Sequence, residues 1–425
     1  MDYPVKQGAP FDVIVAGGGP AGISAALASA RAGAKTLLLE AGGALGGMAT
    51  LGLVSKYAPL SDKNGRVIYR GITREIVTRY KEAAEIAEDK WDWIPIYPEI
   101  LKRLLDDMAA EAGVVVRFGT RVCGVKQEEG VVKAVLTSSE EGLTEYTAKT
   151  YVDATGNGDL AFYAGAPFED GALDGARQPA SLCFVIAGYR KEFVTETLSS
   201  NPRDGLWARI KASGKYPLLF KHFIPSFMGE DVILVNGGHL GDVDPADPAS
   251  LTRAYVLGRK VAAQYLEALK DFLPEAFADA VLVETAPAMG IREGRRIKGD
   301  YTLTAEDYLA RRRFEDEVTE NCYWLDCHGV GGKGKLEVPV EKRHYAPGET
   351  HGIPFRCLLP KGLSNVLVAG RCASFDRNVF ASTRVMPNCM AMGEAAGFCA
   401  ALASLNGLAV RAAVPDALKV IQAAK

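Results

Sequence analysis

The stretch from Val13 to Gly33, VIVAGGGPAGISAALASARAG, sets four closely spaced glycines and a proline directly behind a short apolar run. A backbone bared in this way between a strand and a helix serves either a plain tight turn or a phosphate. Phe11–Ala16 reads as a short buried strand and Pro20–Ala32 as a helix of small residues. Between them, Gly17, Gly19 and Gly22 form G-x-G-x-x-G. Gly17 permits the tight turn, Gly19 lets a pyrophosphate approach the backbone, and Gly22 lets helix and strand pack closely. Pro20 and Ala21 open the helix, whose free N–H groups and partial positive charge suit phosphates.

The motif alone is weak, and its context strengthens it. Lys35–Leu39 reads as a second strand ending in Glu40. That is about twenty residues beyond the glycines, where an acid is expected to hold a ribose 2′-OH and to disfavour a 2′-phosphate. A dinucleotide is therefore expected. A second glycine-rich turn, Ala41–Thr50, follows at once and contains Gly46, Gly47 and Met48. NAD dehydrogenases have no need of it, whereas in an FAD enzyme the chain runs on past the pyrophosphate toward the isoalloxazine. Tyr151–Asp159 is a strand entering a tight turn at Ala154, Thr155 and Gly156. Asn365–Val368 is another strand, followed by a loop that holds Gly370 and Arg371. A helix from about Pro387 and Asn388 would aim its positive end at the flavin pyrimidine.

With these elements in place, the chain resembles the two-domain FAD-dependent oxidoreductases that include fumarate reductase flavoproteins. It looks closest to a bacterial subfamily marked by GGMAT at Gly46–Thr50, GIREGRRIKGDYTLT at Gly290–Thr304 and AGRCASFDRNVFASTRVMPNCMAMGEAAG at Ala369–Gly397. The resemblance runs from Phe11 to Leu405. It implies an α/β fold, with a Rossmann-like FAD-binding domain of the two-dinucleotide-binding-domain flavoprotein type and an inserted α+β substrate domain. The FAD domain is expected at residues 8–165 and 345–425, and the substrate or cap domain at 166–344. FAD is the cofactor it implies, with the backbone at Val122 against the adenine. The single dinucleotide fingerprint argues against the disulfide-reductase plan. The lack of a GDAAH-like motif argues against aromatic hydroxylases.

The remaining sequence organises around this frame. Pro98–Gly113 has helical spacing, and the runs 114–118, 121–127, 131–137 and 144–147 read as strands, the later ones forming a β-meander. Beyond Gly165 the character changes. Strands at Ser181–Ala187 and Val232–Asn236 alternate with helices expected at Glu192–Leu198 and Leu251–Phe272, and His328–Lys335 reads as a mobile loop.

Composition excludes several classes. Among 425 residues, 48% are hydrophobic and 24% charged, with a net charge of −3 that offers no general attraction to nucleic acid or anionic lipid. No apolar run reaches roughly eighteen residues, so no membrane span is expected. The N-terminal residues lack a signal-peptide core, and eight scattered cysteines suit a reducing cytoplasm. Cys322 and Cys327 have flavoprotein-like C-x4-C spacing, but a strand at Tyr323–Leu325 would point them to opposite faces. Arg311–Arg313 reads as the solvated face of a helix. No zinc-like spacing of His or Cys occurs, so no metal site is expected.

A flavin moves hydride through N5, and the protein must place the substrate and manage a proton. Arg292 and Arg295 lie three apart and would share the face of a helical turn, where they could clamp a carboxylate. The structural alternative is ion pairing with Glu293, Asp300 or Glu306. His328, behind Leu325-Asp326-Cys327, could serve as acid or base. Arg371 suits a flavin or loop anchor better than a catalyst. His239 and His351 have weaker cases, and His222 and His344 have no evident partner. The expected reaction is hydride transfer between flavin N5 and a small anionic or carbonyl-bearing molecule. Two alternatives stand beside it: reduction of an activated double bond fed by NADH or a partner protein, and a flavin-binding module in RNA modification or assembly.

Overall fold

The structure, a computed structural model, describes residues 4–171, 176–194, 198, 205–219, 222–329 and 338–423. Five parallel strands form its central sheet: β1 (Phe11–Ala16), β2 (Thr36–Leu39), β3 (Val115–Arg117), β4 (Ala148–Asp153) and β5 (Val366–Val368), ordered β5-β4-β1-β2-β3. β1 pairs with β4 on one side and β2 on the other, with Val15 opposite both Leu38 and Val152. Val13, Ile14 and Val15 are completely buried. A strand covered on both faces reads as a continuous apolar run rather than an alternating one.

Helix α1 (Pro20–Arg31) leaves the turn after β1, and helix α2 (Met386–Asn406) lies against it. Small residues make this contact possible. A methyl on Gly393 would stand 2.0 Å from the carbonyl oxygen of Ala21, and one on Gly397 would stand 2.2 Å from that of Ala25. Ser29 closes the seam by donating to Gly397 O at 3.0 Å. α2 is thus buried nearly all round, which explains why its sequence shows no amphipathic stripe.

Between β3 and β4 the expected meander is present as Arg121–Glu128, Val131–Ser139 and Gly142–Tyr146. A second antiparallel sheet runs in the order Phe223–Phe227, Val232–Gly237, Phe184–Ala187, Val281–Thr285. The helix Pro248–Phe272 packs with it, started by Asp247, whose carboxylate accepts from the N–H groups of Ala249 and Ser250. This sheet has its own core, including Phe184, Trp207, Phe223, Tyr265 and Phe277. Ile297, Leu303, Tyr308 and Tyr345 pack instead into the first core. We therefore propose a cap unit built from Ala180–Met289, shorter than the expected 166–344.

Three local expectations differ from the structure. The segment Ile291–Arg295 is not helical, so Arg292 and Arg295 do not share a helical face. The strand expected through Tyr323 ends earlier, at Asn321, and Cys322 and Cys327 are free thiols. Arg311, Arg312 and Arg313 follow the helix Ala305–Leu309 instead of lying on it, and they pair with Glu349, Asp307 and Glu317. Of the helix expected at Glu192–Leu198, a single turn at Lys191–Phe193 is present, and residues 195–197 lie outside the described residues. So do residues 330–335 of the loop expected at His328–Lys335.

The α1–α2 contact yields a first prediction. Gly393→Ala drives a methyl into backbone that cannot move aside, so stability should fall by about 1–3 kcal/mol. A thermal melt with an unchanged midpoint would show that the helices can separate at no cost.

Candidate active site

A cavity of about 760 Å³ lies where the two cores meet. One wall comes from the glycine turn. Gly17 holds φ at +91°, and a side chain on it would stand 2.6 Å from Ala154 O. A methyl on Gly22 would stand 1.7 Å from Gly17 O, so the helix can sit this close only without one. Gly19 differs: no atom lies within 4 Å of where its Cβ would be, and its backbone borders the cavity. No side chain caps α1 or α2, and the first residues of both helices border the same space. This is a cradle for a diphosphate, with two positive helix ends.

Around the cradle, Glu40 accepts from the N–H groups of Gly18 and Gly42, each at 2.6 Å, with its carboxylate on the cavity edge. Asp153 ends β4 and organises the next turn, accepting from Thr155 N at 3.0 Å, Thr155 Oγ1 at 2.7 Å and Ala161 N at 2.8 Å. Burial raises its carboxyl to about 6 against these hydrogen bonds. Arg371 donates to Gly156 O and Asn157 Oδ1, each at 2.9 Å, and to Ile291 O, tying that turn to the Ile291–Arg292 segment.

The opposite wall is polar, and the cap and the first core both contribute to it. Arg292 is 9% exposed, donating to Pro179 O at 2.7 Å and Ser181 Oγ at 2.9 Å, with His222 Nε2 at 3.5 Å. Among the described residues it forms no ion pair, and burial lowers its guanidinium to about 10. His222 stacks on His239 with ring centres 4.3 Å apart, and His328 meets both edge-on at 5.4 and 4.9 Å. Burial and the Arg292 charge push His222 down to about 3 and His239 to about 2. Burial also lowers His328, opposed by Asp326, whose Oδ1 lies 3.2 Å from His328 Nε2. Burial works to raise Asp326, yet His328, Arg384 and Arg292 hold it well below the usual carboxylate range. Tyr323 donates to Asp326 at 3.1 Å, and Arg384 stands 3.7 Å from it.

The ring nitrogens of His222, His239 and His328 lie within 4.8 Å of one another, a grouping that a metal ion could occupy. The adjacent guanidiniums oppose it. Arg292, which adds to burial in keeping these imidazoles uncharged, would also repel a divalent cation placed among them.

Most residues expected at the site border this cavity. Gly17, Gly19, Pro20, Ala21, Glu40, Gly47 and Met48 do so from the first turns, and Ala154, Thr155, Gly156, Gly370 and Arg371 do so from the later ones. Arg292 and His328 border it from the opposite wall. Gly22 and Gly46 lie behind the wall. Gly22 permits the close helix packing, and Gly46 donates to Gly18 O at 2.8 Å. Val122 is buried in the meander away from the cavity wall. Pro387 occupies the first turn of α2, and the Asn388 side chain is committed to Tyr69 and Ser382.

Arg295 is the clearest departure. It pairs with Asp159 at 2.9 Å and lies over the ring of Phe162, outside the cavity, because the segment forms no helical turn that would bring it beside Arg292. His351 is buried against Tyr345 and Tyr308 in the first core, and His344 stacks on Trp324. Sequence reasoning gave His239 only a weaker case, and it missed His222, Asp326, Arg384 and Tyr323 as members of the site. His222 and His239 flank the open ends of one hairpin, Phe223–Phe227 with Val232–Gly237, where Phe223 faces Gly237. The apolar runs around Met228-Gly229-Glu230-Asp231 carried that signal.

The cradle and the adjoining cavity define a dinucleotide-dependent oxidoreductase. The model of the FAD dependent oxidoreductase family matches residues 12–424, and the chain belongs to that family. It is an enzyme and a flavoprotein, and FAD is its cofactor. Among curated proteins, it is 26% identical over 219 residues to digeranylgeranylglycerophospholipid reductase of Methanocaldococcus jannaschii, covering 49% of this chain and 52% of that protein. It is 34% identical over 161 residues to the tRNA uridine 5-carboxymethylaminomethyl modification enzyme MnmG of Listeria monocytogenes, covering 34% of this chain and 24% of that one. The aligned region thus spans about half and a quarter of these relatives' lengths. A solved geranylgeranyl bacteriochlorophyll reductase-like protein of Thermoplasma acidophilum aligns over 98% of this chain and 83% of its own, with 14% identity and a TM-score of 0.46. The p-nitrophenol 4-monooxygenase PnpA of Pseudomonas putida aligns over 98% and 84%, with 12% identity and a TM-score of 0.48. Among the described residues, no helix is long and apolar enough to cross a membrane.

Two outcomes test the cradle. Gly19→Leu should give folded protein without bound FAD, since the side chain meets only the space of the pyrophosphate; flavin absorbance after gel filtration decides it. Glu40→Ala should weaken FAD retention by roughly 1.5–3 kcal/mol, one charge-assisted hydrogen bond, measured by fluorescence titration of the apoprotein.

The neutral histidines set a pH dependence. Unfolded histidine binds a proton near pH 6.5, whereas folded His222 and His239 do so near 3 and 2. Their contribution to stability is therefore full above pH 6.5 and is lost as pH falls below it. A His222→Asn, His239→Asn double variant should gain on wild type between pH 7 and pH 5, by up to about 1.4 kcal/mol per pH unit for each histidine removed. Parallel denaturant midpoints across that range would contradict this.

Proposed function

We propose that this chain transfers a hydride between the N5 position of its FAD and a small organic anion, with His328 handling the accompanying proton. The carrying observation is that a buried guanidinium that forms no ion pair among the described residues and a carboxylate-held imidazole border the cavity that contains the dinucleotide cradle. FAD supplies two-electron chemistry at N5 when bound. Residues of the chain perform the remaining tasks.

Arg292 is fixed by Pro179 O and Ser181 Oγ, so its fork needs little reorganisation to receive an anion. His328 directs Nε2 to Asp326, which leaves Nδ1 as the atom that takes or returns a proton. Because His328 is held neutral at pH 7, it starts as a base and becomes an acid once loaded. Arg384 neutralises Asp326 from the other side and keeps the resting imidazole from charging. In the reducing direction, electrons would come from NADH or a partner protein.

Anaerobic photoreduction followed by a metabolite screen for flavin reoxidation, with bleaching of the oxidised enzyme as the converse assay, tests the reading directly. His328→Ala should lower turnover by about 10²–10⁴-fold, with the flavin spectrum nearly unchanged and the acid limb of the pH profile, expected below pH 6.5, abolished. Arg292→Lys should raise KM, because lysine cannot reproduce a bidentate fork. An unchanged KM with a lower melting point would make Arg292 a brace only.

A further inference from the structure

We propose that the molecule taken by this site is a carboxylic acid with a flat unsaturated body. Its carboxylate lies on Arg292, and its body lies against the ring wall of Trp93, Tyr323 and Trp324. The inference rests on the oxidoreductase reading above and narrows its substrate class.

The charge count around Arg292 comes first. Among the described residues, Arg292, Arg371 and Arg384 bring three positive charges, Asp326 brings one negative, and the three histidines are neutral. This part of the cavity therefore carries an excess of positive charge. Arg384 Nε and His239 Nε2 are both buried without a hydrogen-bond partner. A buried guanidinium outside any ion pair is costly, and an anionic ligand offsets that cost. A planar carboxylate matches the guanidinium fork in both charge and shape. A metal ion on the histidines would add to the excess instead of cancelling it.

The second observation is the continuous aromatic surface leading away from that charge. Tyr323 donates to Asp326, and its ring stacks on Trp324 at 4.2 Å and 29°. Trp93 packs on Trp324 at 5.6 Å and on Tyr323 at 6.4 Å. All three rings border the cavity, together with the apolar side chains of Leu51, Val54 and Ile224. Trp93 nevertheless remains 43% exposed, and its backbone lies at φ +53°. A large side chain in that conformation is uncommon and is retained where the surroundings hold it in place. Here the conformation presents an indole to the cavity. An anion-binding end joined to a wall of rings selects a flat ligand with a charge at one end.

The test uses the oxidised FAD-loaded protein and reads perturbation of the flavin spectrum. Four probes separate the terms: benzoate, its uncharged counterpart benzyl alcohol, the non-planar cyclohexanecarboxylate, and acetate. Benzoate should bind at least about tenfold more tightly than benzyl alcohol or acetate, and more tightly than cyclohexanecarboxylate. Trp93→Asn, a residue that accepts the same backbone conformation, should remove the preference for benzoate over cyclohexanecarboxylate while acetate binding stays as it was. Arg292→Lys should weaken all three carboxylates and leave benzyl alcohol unaffected.

Equal binding of benzoate and benzyl alcohol, or of benzoate and acetate, would overturn the proposal. So would stoichiometric zinc uptake by wild type that is lost in His239→Asn. A yellow protein whose photoreduced flavin is reoxidised by a metabolite, yet which ignores benzoate, would sink this inference and leave the oxidoreductase reading standing. Protein that never retains FAD would remove both.

Discussion

Everything at this site depends on a backbone approach that leaves no room for a Cβ. α1 lies so close to the turn after β1 that a methyl at Gly22 would overlap Gly17 O, and α2 lies so close to α1 that Gly393 meets Ala21 O. That double contact brings the start of both helices to one cavity, each without a side-chain cap. The unpaired N–H groups at these ends then favour phosphate at one place and developing negative charge at the other. A bulkier residue in the seam would separate the helices and divide one electropositive site into two ordinary helix ends.

The second half of the site is governed by desolvation. The cap contributes its hairpin ends and the Ala288–Arg292 segment, and the first core contributes Tyr323, Asp326, His328 and Arg384. Burial, reinforced by the Arg292 charge, keeps the three imidazoles neutral, while His328, Arg384 and Arg292 keep Asp326 ionised against its own burial. Low dielectric disfavours a lone charge on the rings and strengthens the attraction that holds the carboxylate. The arrangement is poorly balanced without an anion, which is why the charge count has chemical meaning.

The cradle was legible in the sequence because each of its parts is local. G-x-G-x-x-G, the acid at Glu40 and the turn at Ala154–Gly156 are short segments whose chemistry depends on backbone conformation, and backbone conformation follows from glycine placement. Arg295 shows where such reading stops. Spacing suggested a shared helical face with Arg292, but the segment forms no helix and Asp159, remote in sequence, captures the guanidinium. His222 and His239 show the converse. Neither has a partner nearby in sequence, and their stacking arises only when a hairpin brings its two ends together opposite His328.

The sequence by itself thus determined the parallel α/β frame and the FAD cofactor, and it singled out two residues that border the cavity opposite the glycine turn, His328 and Arg292. Those features rest on short-range rules: strand period, helix ends, and glycine where a side chain cannot fit. Tertiary structure alone decided which arginine faces the cavity and which is neutralised, which histidines meet, and that Asp326 lies between His328 and Arg384. These depend on charges and rings from distant segments sharing one desolvated volume. Coulomb and burial terms are set by separation in space, and the distance along the chain carries no information about that separation.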